Sequence, residues 1–227
     1  MPPLRWKITG SNGSERKSVM ELMDELPLTA RLIGDAEYVG YPLWSTIINS
    51  KRSFLFRVGS NITLLKKLGG KFHQHDGYVH FWPQLVKQNG QPPIALRLFT
   101  FHNGRHPIHL VTNELDMTDK LASELYAGRW GIEVFFRSVK QTWQRSKLLC
   151  RSPENARVEL NWTLLGIWSA MFLAKQTLDA EGEKPQRRSA VKVMRACALV
   201  IQSIVLHGHA APRLASLLAA ALIADES

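Results

Sequence analysis

Four residues in the stretch Leu121 to Arg145 (LASELYAGRWGIEVFFRSVKQTWQR) have the types and spacing for metal and phosphate chemistry: Tyr126, Arg129, Glu133 and Lys140. They fall at i, i+3, i+7 and i+14, and at about 100° per residue they lie within roughly 60° of one another on a helix. The result is a line of one acid, two bases and a phenol. Beside it runs an apolar stripe of Leu121, Leu125, Ile132, Phe136, Val139 and Trp143, the pattern of a helix with one face in a core. A carboxylate at the rim of a core, with cations a turn or two away, suits a divalent cation and the phosphate it would act on. The same spacing also describes an amphipathic helix with i,i+4 Arg–Glu support. Spacing alone leaves both open.

A second carboxylate, Asp35, follows the short apolar run Ala30 to Gly34 (ARLIG). Open α/β sheets place their chemistry at the C-terminal ends of such buried strands. The plainer role is a cap for the next helix, Tyr38 to Ser50. Farther on, His73, His75 and His80 lie close together, and strand alternation puts His73 and His75 on one face, without a third metal ligand of fitting spacing. Trp82 could stack on an extruded base or sit in a core.

The elements that must position these residues read as follows. Leu4 to Thr9 is a short strand, and Ser14 caps a helix that runs to about Leu26, before Pro27. The Asp35 strand, the helix Tyr38 to Ser50 and the strand Ser53 to Val58 come next. This strand–helix–strand–helix–strand order predicts a mainly parallel α/β sheet over residues 1–59. Residues 60–115 change character: strands at Tyr78 to Trp82, Ile94 to Phe101 and Ile108 to Thr112, with hairpin signals at Asp76-Gly77 and Asn103-Gly104. They read as a β-rich insertion. Its Lys66, Lys67, Lys71, Lys87, Arg97 and Arg105 outnumber its acids and could face a phosphate backbone. Residues 116–178 hold the long helix, capped by Thr118 and ending near Cys150, and a second helix begun by Ser152-Pro153-Glu154. A charged linker, 179–190, leads to a helical tail, 191–227, hinged at Gly208.

The formal charge is +10 on 227 residues, which favours a polyanionic partner. The two cysteines, Cys150 and Cys197, are far apart, as in a reducing compartment such as the cytoplasm. The first ten residues lack the apolar run of a signal peptide. The most apolar stretch, Leu160 to Ala174, contains Asn161, Thr163 and Ser169 and is too short to span a membrane. It reads as a buried helix.

Tyr126, Arg129, Glu133 and Lys140 together match the Y-x2-R-x3-E-x6-K signature of bacterial insertion-sequence transposases of the DDE class, in the IS-four-type subgroup with a β-rich insertion before the catalytic Glu. Asp35, in RLIGDAEYVGYPLW, resembles the second catalytic Asp of that family. The similarity covers roughly residues 1–178. It implies an α/β, α+β overall, ribonuclease H-like core, interrupted by the insertion and followed by the catalytic helix and a helical region. It also implies metal-dependent phosphodiester cleavage and strand transfer with two Mg²⁺ or Mn²⁺ ions. Asp35 and Glu133 would be catalytic metal ligands, while Tyr126, Arg129 and Lys140 would bind DNA phosphates. The partners would be double-stranded DNA, at transposon ends and target, and a second copy or a full-length transposase. No membrane is implied, and the setting would be the bacterial cytoplasm, at the nucleoid.

The pattern also departs from the family. The fold resembled begins with two strands before the one at residues 4–9, the first carrying the first catalytic Asp. The acids before Asp35 are Glu15, Glu21, Asp24 and Glu25, all in or beside the first helix and none placed to substitute. The expectation is therefore the C-terminal part of a transposase, from a truncated, frameshifted or split gene, which alone neither cuts nor joins DNA. The alternatives are a non-catalytic DNA-binding or inhibitory fragment that pairs with a full-length transposase, and an unrelated α/β module whose helix stripe is a surface salt-bridge network.

Overall fold

The structure is a computed structural model. It describes residues 7–9, 12–59, 77–104, 106–141, 149, 150, 152–180 and 190–207. The chain divides into two compact units, Lys7–Trp130 and Met1–Trp6 with Gly131–Ser227. Each is described by itself.

In the first unit, Ser14 caps α1 (Glu15–Leu22) by accepting from the Lys17 amide at 3.4 Å. A 3-10 turn, Met23–Glu25, follows and stops before Pro27. Then come β1 (Arg31–Gly34), a second 3-10 turn (Ala36–Tyr38), α2 (Tyr41–Asn49), β2 (Ser53–Val58), β3 (Tyr78–Phe81), α3 (Gln84–Gln88), β4 (Ile94–Asn103), β5 (His106–Thr112) and α4 (Asp119–Gly128). The strands form one mixed five-stranded sheet in the order β1-β2-β5-β4-β3. The segment read as an insertion thus contributes β3, β4 and β5 to the same sheet as β1 and β2.

One sequence-based expectation changes here: Lys7, Ile8 and Thr9 belong to no strand, and the rest of the strand expected at 4–9 lies outside the described residues. Within residues 1–59 the described strands β1 and β2 pair in parallel, as expected; β2–β5, β5–β4 and β4–β3 are antiparallel, so the whole sheet is mixed. The strand–helix alternation argued for parallel pairing, and parallel sheets are covered on both faces. The covering is real, but the helices that provide it flank a mixed sheet. Phe54, Phe56 and Val58 face a cluster with Leu43, Trp44 and Ile47 of α2, whereas Leu55 faces Phe99, Leu110, Met117 and Ala122 under α4. Strand alternation splits each run between the two layers. Trp44 is fully buried, 5.3 Å from Phe54 and 4.8 Å from Phe81 between ring centroids.

The hairpin signal at Asn103-Gly104 is a tight β4–β5 turn in which Asn103 pairs with His106 and Gly104 has φ +84°. The other signal keeps Gly77 at φ +80°; Asp76 lies outside the described residues.

The long helix expected from 121 to 145 is two helices. α4 ends at Gly128, and α5 (Trp130–Gln141) follows after Arg129, whose amide donates to the Tyr126 carbonyl, three residues back, at 3.1 Å. Gly128 and Gly131 bracket the break, and glycine disfavours a helix interior. The apolar stripe is not a buried seam along its length. Leu125 packs against the core, while Leu121, Ile132 and Phe136 are exposed. Trp143 and the Val139 side chain lie outside the described residues.

In the second unit, α6 (Pro153–Ala180) begins as expected, with Ser152 Oγ accepting from the Asn155 amide at 3.2 Å. The Glu159 carboxylate accepts from the Leu149 and Cys150 amides. α6 packs on α7 (Ala190–His207) through Ala170, Ala174, Val193 and Ala196, small residues that allow close approach. The helix expected to be buried has one buried face only: Val158, Trp162 and Leu165 are exposed. Residues 181–189, the core of the expected linker, and Gly208 onward lie outside the described residues. Among the described residues no helix is long and apolar enough to cross a membrane.

Candidate active site

Asp35 stands directly after Gly34, at the C-terminal end of the parallel pair β1–β2. Its backbone is extended, and its Oδ1 accepts from the Glu37 amide at 3.0 Å. The structure fixes where this residue stands and what it caps. It ends the strand, and it caps the 3-10 turn rather than α2, which starts at Tyr41. The residue is half-buried. One backbone bond leaves a carboxylate further lone pairs for a ligand. Asp35 can reach this place because Gly34 lacks a side chain: a Cβ there would lie 2.7 Å from Tyr38 Cδ2 and 3.0 Å from Phe56 Cδ1.

Tyr126 and Arg129 are brought together at the end of α4. Thr118 caps that helix by accepting from the Leu121 amide at 3.3 Å. Tyr126 packs on the core cluster of Phe99 and Leu110. The Arg129 guanidinium carbon lies 5.4 Å from the centroid of its ring, a cation–π distance. Both residues line an open cleft of about 460 Å³ with Phe101, His102, Ile108 and Trp130. A cleft with an apolar, aromatic floor and a guanidinium and phenol at its rim can take an anionic group beside a flat ring.

Glu133 and Lys140 lie on α5, in the first and last turns. Seven residues are close to two turns, so they share a face about 10 Å apart along the axis. Each end is also where the helix dipole favours that charge. Glu133 is half-buried and Lys140 exposed. These two residues belong to the second unit, whereas Asp35, Tyr126, Arg129 and Trp82 belong to the first.

Trp82 follows β3 on the surface and is 38% exposed. Its Nε1 donates to the Gln91 carbonyl at 2.8 Å, and the Lys87 ammonium lies 4.9 Å from the ring centroid. Of the bases expected to face phosphate, Arg97 has a structural role. It donates to the Tyr78 hydroxyl at 3.2 Å and the Leu115 carbonyl at 3.3 Å, and pairs with Asp119 at 3.6 Å. Lys66, Lys67, Lys71 and Arg105, with His73 and His75, lie outside the described residues. Among the described residues no three His, Cys, Asp or Glu side chains group together to hold a metal ion.

Sequence reasoning missed His102 and Trp130, which line the cleft. Trp130 had a signal, since it adjoins Arg129. His102 had none, because its place depends on the pairing of β4 with β5. That pairing sets Thr100 against His109, where Thr100 Oγ1 and His109 Nδ1 are 3.0 Å apart. Burial, and then the charge of His102, lowers the His109 pKa.

Residues 2–168 match the family described as the transposase DDE domain. The chain is 30% identical over 138 residues to a Sinorhizobium fredii protein named as a transposase, y4zB, covering 58% of this chain and 39% of that one. It is 30% identical over 139 residues to transposase InsG for insertion sequence element IS4 of Escherichia coli, covering 58% of this chain and 29% of that one. The aligned part thus spans well under half the length of these relatives. A piggyBac transposase synaptic complex with hairpin DNA aligns over 94% of this chain and 46% of that chain, at a TM-score of 0.47 and 13% identity.

Proposed function

We propose that this chain, which belongs to the transposase DDE-domain family, carries part of the catalytic domain of an insertion-sequence DNA transposase. Its partner is DNA, and its reaction class is phosphodiester cleavage and strand transfer. The family uses divalent metal ions; the finer assignment to Asp35 and Glu133 as ligands is ours. Both are carboxylates, the hard oxygen donors that Mg²⁺ and Mn²⁺ prefer, so the donor chemistry fits. A bound divalent ion supplies Lewis-acid activation and neutralises charge on the transferring phosphate.

This chain's own residues have three tasks. Asp35 and Glu133 hold negative charge where the cation is needed. Arg129 and Lys140 bind phosphate oxygens beside the cut, and Tyr126 donates a hydrogen bond to a phosphate. Trp82 offers an exposed ring for an unstacked base. The reaction is an in-line displacement: an attacking oxygen forms a bond to phosphorus, and the bond to the leaving 3′-oxygen breaks. The proposed location is the bacterial cytoplasm at the nucleoid, which the two free cysteines support.

One observation carries most of this reading. Asp35 directly follows the parallel strand β1, and its Oδ1 accepts from the Glu37 amide, which places a carboxylate at the C-terminal end of a parallel strand, where α/β sheets present ligand-binding groups. The test is Mn²⁺ binding by this chain: Asp35→Asn and Glu133→Gln should each weaken it, and an affinity unchanged in both sinks the ligand assignment. Arg129→Ala and Lys140→Ala should each weaken DNA binding and lower the salt slope by about one unit.

A further inference from the structure

We propose that Glu15, Arg16 and Tyr38 are positioning residues that lock the Asp35 carboxylate at the end of β1; this rests on the reading of Asp35 as a metal ligand. The connection from Asp35 to Gly40 has only one 3-10 turn of regular structure, yet it is gripped from three sides. From α1, Arg16 Nε donates to the Glu37 carbonyl at 2.5 Å, and Glu15 Oε2 accepts from the Tyr38 hydroxyl at 2.8 Å. From α2, Trp44 Nε1 donates to the Tyr38 carbonyl at 2.9 Å. From the sheet, the Tyr38 ring stacks on Phe56 with centroids 5.8 Å apart and covers Gly34.

The coupling to Asp35 runs through one residue. The amide that orients the carboxylate belongs to Glu37, and the carbonyl of Glu37 is the group Arg16 holds. The next residue is Tyr38, whose amide closes the turn onto the Asp35 carbonyl at 3.3 Å. Release of Tyr38 from Glu15 therefore frees the Glu37 amide to turn away, and the carboxylate loses its orienting donor. Groups that orient a ligand commonly change metal affinity by about 10–100-fold. Burial, and then the Glu15 hydrogen bond, pushes the Tyr38 phenol well above its ordinary pKa. The hydroxyl therefore stays a donor across the physiological range.

The test uses the full 227-residue chain and two readouts. Amide hydrogen exchange at Glu37 reports the Asp35 carboxylate directly. Tyr38→Phe should speed it about ten-fold while the amides of Phe54 and Leu55 and the Tm stay unchanged. Glu15→Ala should do the same, and Glu15→Gln, which keeps an acceptor, should largely restore slow exchange. Exchange at Glu37 that stays slow in Tyr38→Phe overturns the proposal, as does acceleration by the same factor in β2. The second readout is Mn²⁺ binding by electron paramagnetic resonance. An affinity that depends on Asp35, and so is lost in Asp35→Asn, should weaken about ten-fold in Tyr38→Phe. If wild type and Asp35→Asn bind Mn²⁺ alike, the ligand reading of Asp35 fails, and Glu37 exchange still decides the positioning role.

Discussion

Gly34 and Asp35 show how much of this site depends on one missing side chain. The acid could be picked out of the sequence because an apolar run ends beside it. The glycine before it gave no such signal, since its need arises from Tyr38 and Phe56, which fold over it. Gly34→Ala should destabilise the chain by about 1–3 kcal/mol through overpacking, read as a lower denaturant midpoint at unchanged slope. An unchanged midpoint would show that the Tyr38 ring can swing aside. The same limit applies to Arg97. Its charge suggested phosphate binding, but the Tyr78, Leu115 and Asp119 contacts that engage it come from elsewhere in the chain.

Among the elements, the most informative is the break between α4 and α5. Tyr126 and Arg129 stay on one helix end, so their adjacency survives as the spacing implied. Glu133 and Lys140 likewise share one helix, α5. Gly128 and Gly131 have no atom within 4 Å of a built Cβ and no positive φ. Gly128→Ala and Gly131→Ala should therefore each raise stability by about 0.5–1 kcal/mol and increase helical circular dichroism. A loss of stability would show that the break is required by packing.

A second element-level contact joins β1 to the segment after β5. Arg31 donates to both oxygens of Glu114 at 2.7 and 2.6 Å. Burial pushes the Glu114 carboxyl up, but the Arg31 and Ser53 hydrogen bonds and the Arg31 charge outweigh it, so its pKa lies below the ordinary 4.5. A depressed carboxyl pKa contributes stability above the unfolded value, and this is lost as pH falls through the folded value. The urea midpoints of wild type and Glu114→Gln should thus differ at pH 7 and converge as pH falls through the folded pKa of Glu114. A gap that does not narrow with falling pH would assign the contribution to something other than the ion pair.

At the scale of the whole molecule, the chain holds two compact units whose boundary falls at Trp130–Gly131. The expected boundaries lay elsewhere, at a β-rich insertion and a charged linker. Strands β3, β4 and β5 looked like a module because the sequence from 60 to 113 shows little helical period, whereas their pairing makes them three fifths of one sheet with β1 and β2. Covering helices on both faces explain the apolar runs without a parallel arrangement. The family was legible in the sequence, and residues 2–168 match its model.

The sequence by itself determined the caps at Ser14, Thr118 and Ser152, the turn at Asn103-Gly104 and the strand before Asp35. Each depends on residues within about four positions of one another, or on one helix, where backbone geometry follows from the side chains alone. Only the tertiary structure decided the order and sense of the strands, the exposure of Ile132 and Phe136, the engagement of Arg97 and the grip of Glu15 and Arg16 on the Asp35 connection. Those depend on contacts between residues far apart in the chain, whose partners are set by which surfaces the folded core brings together.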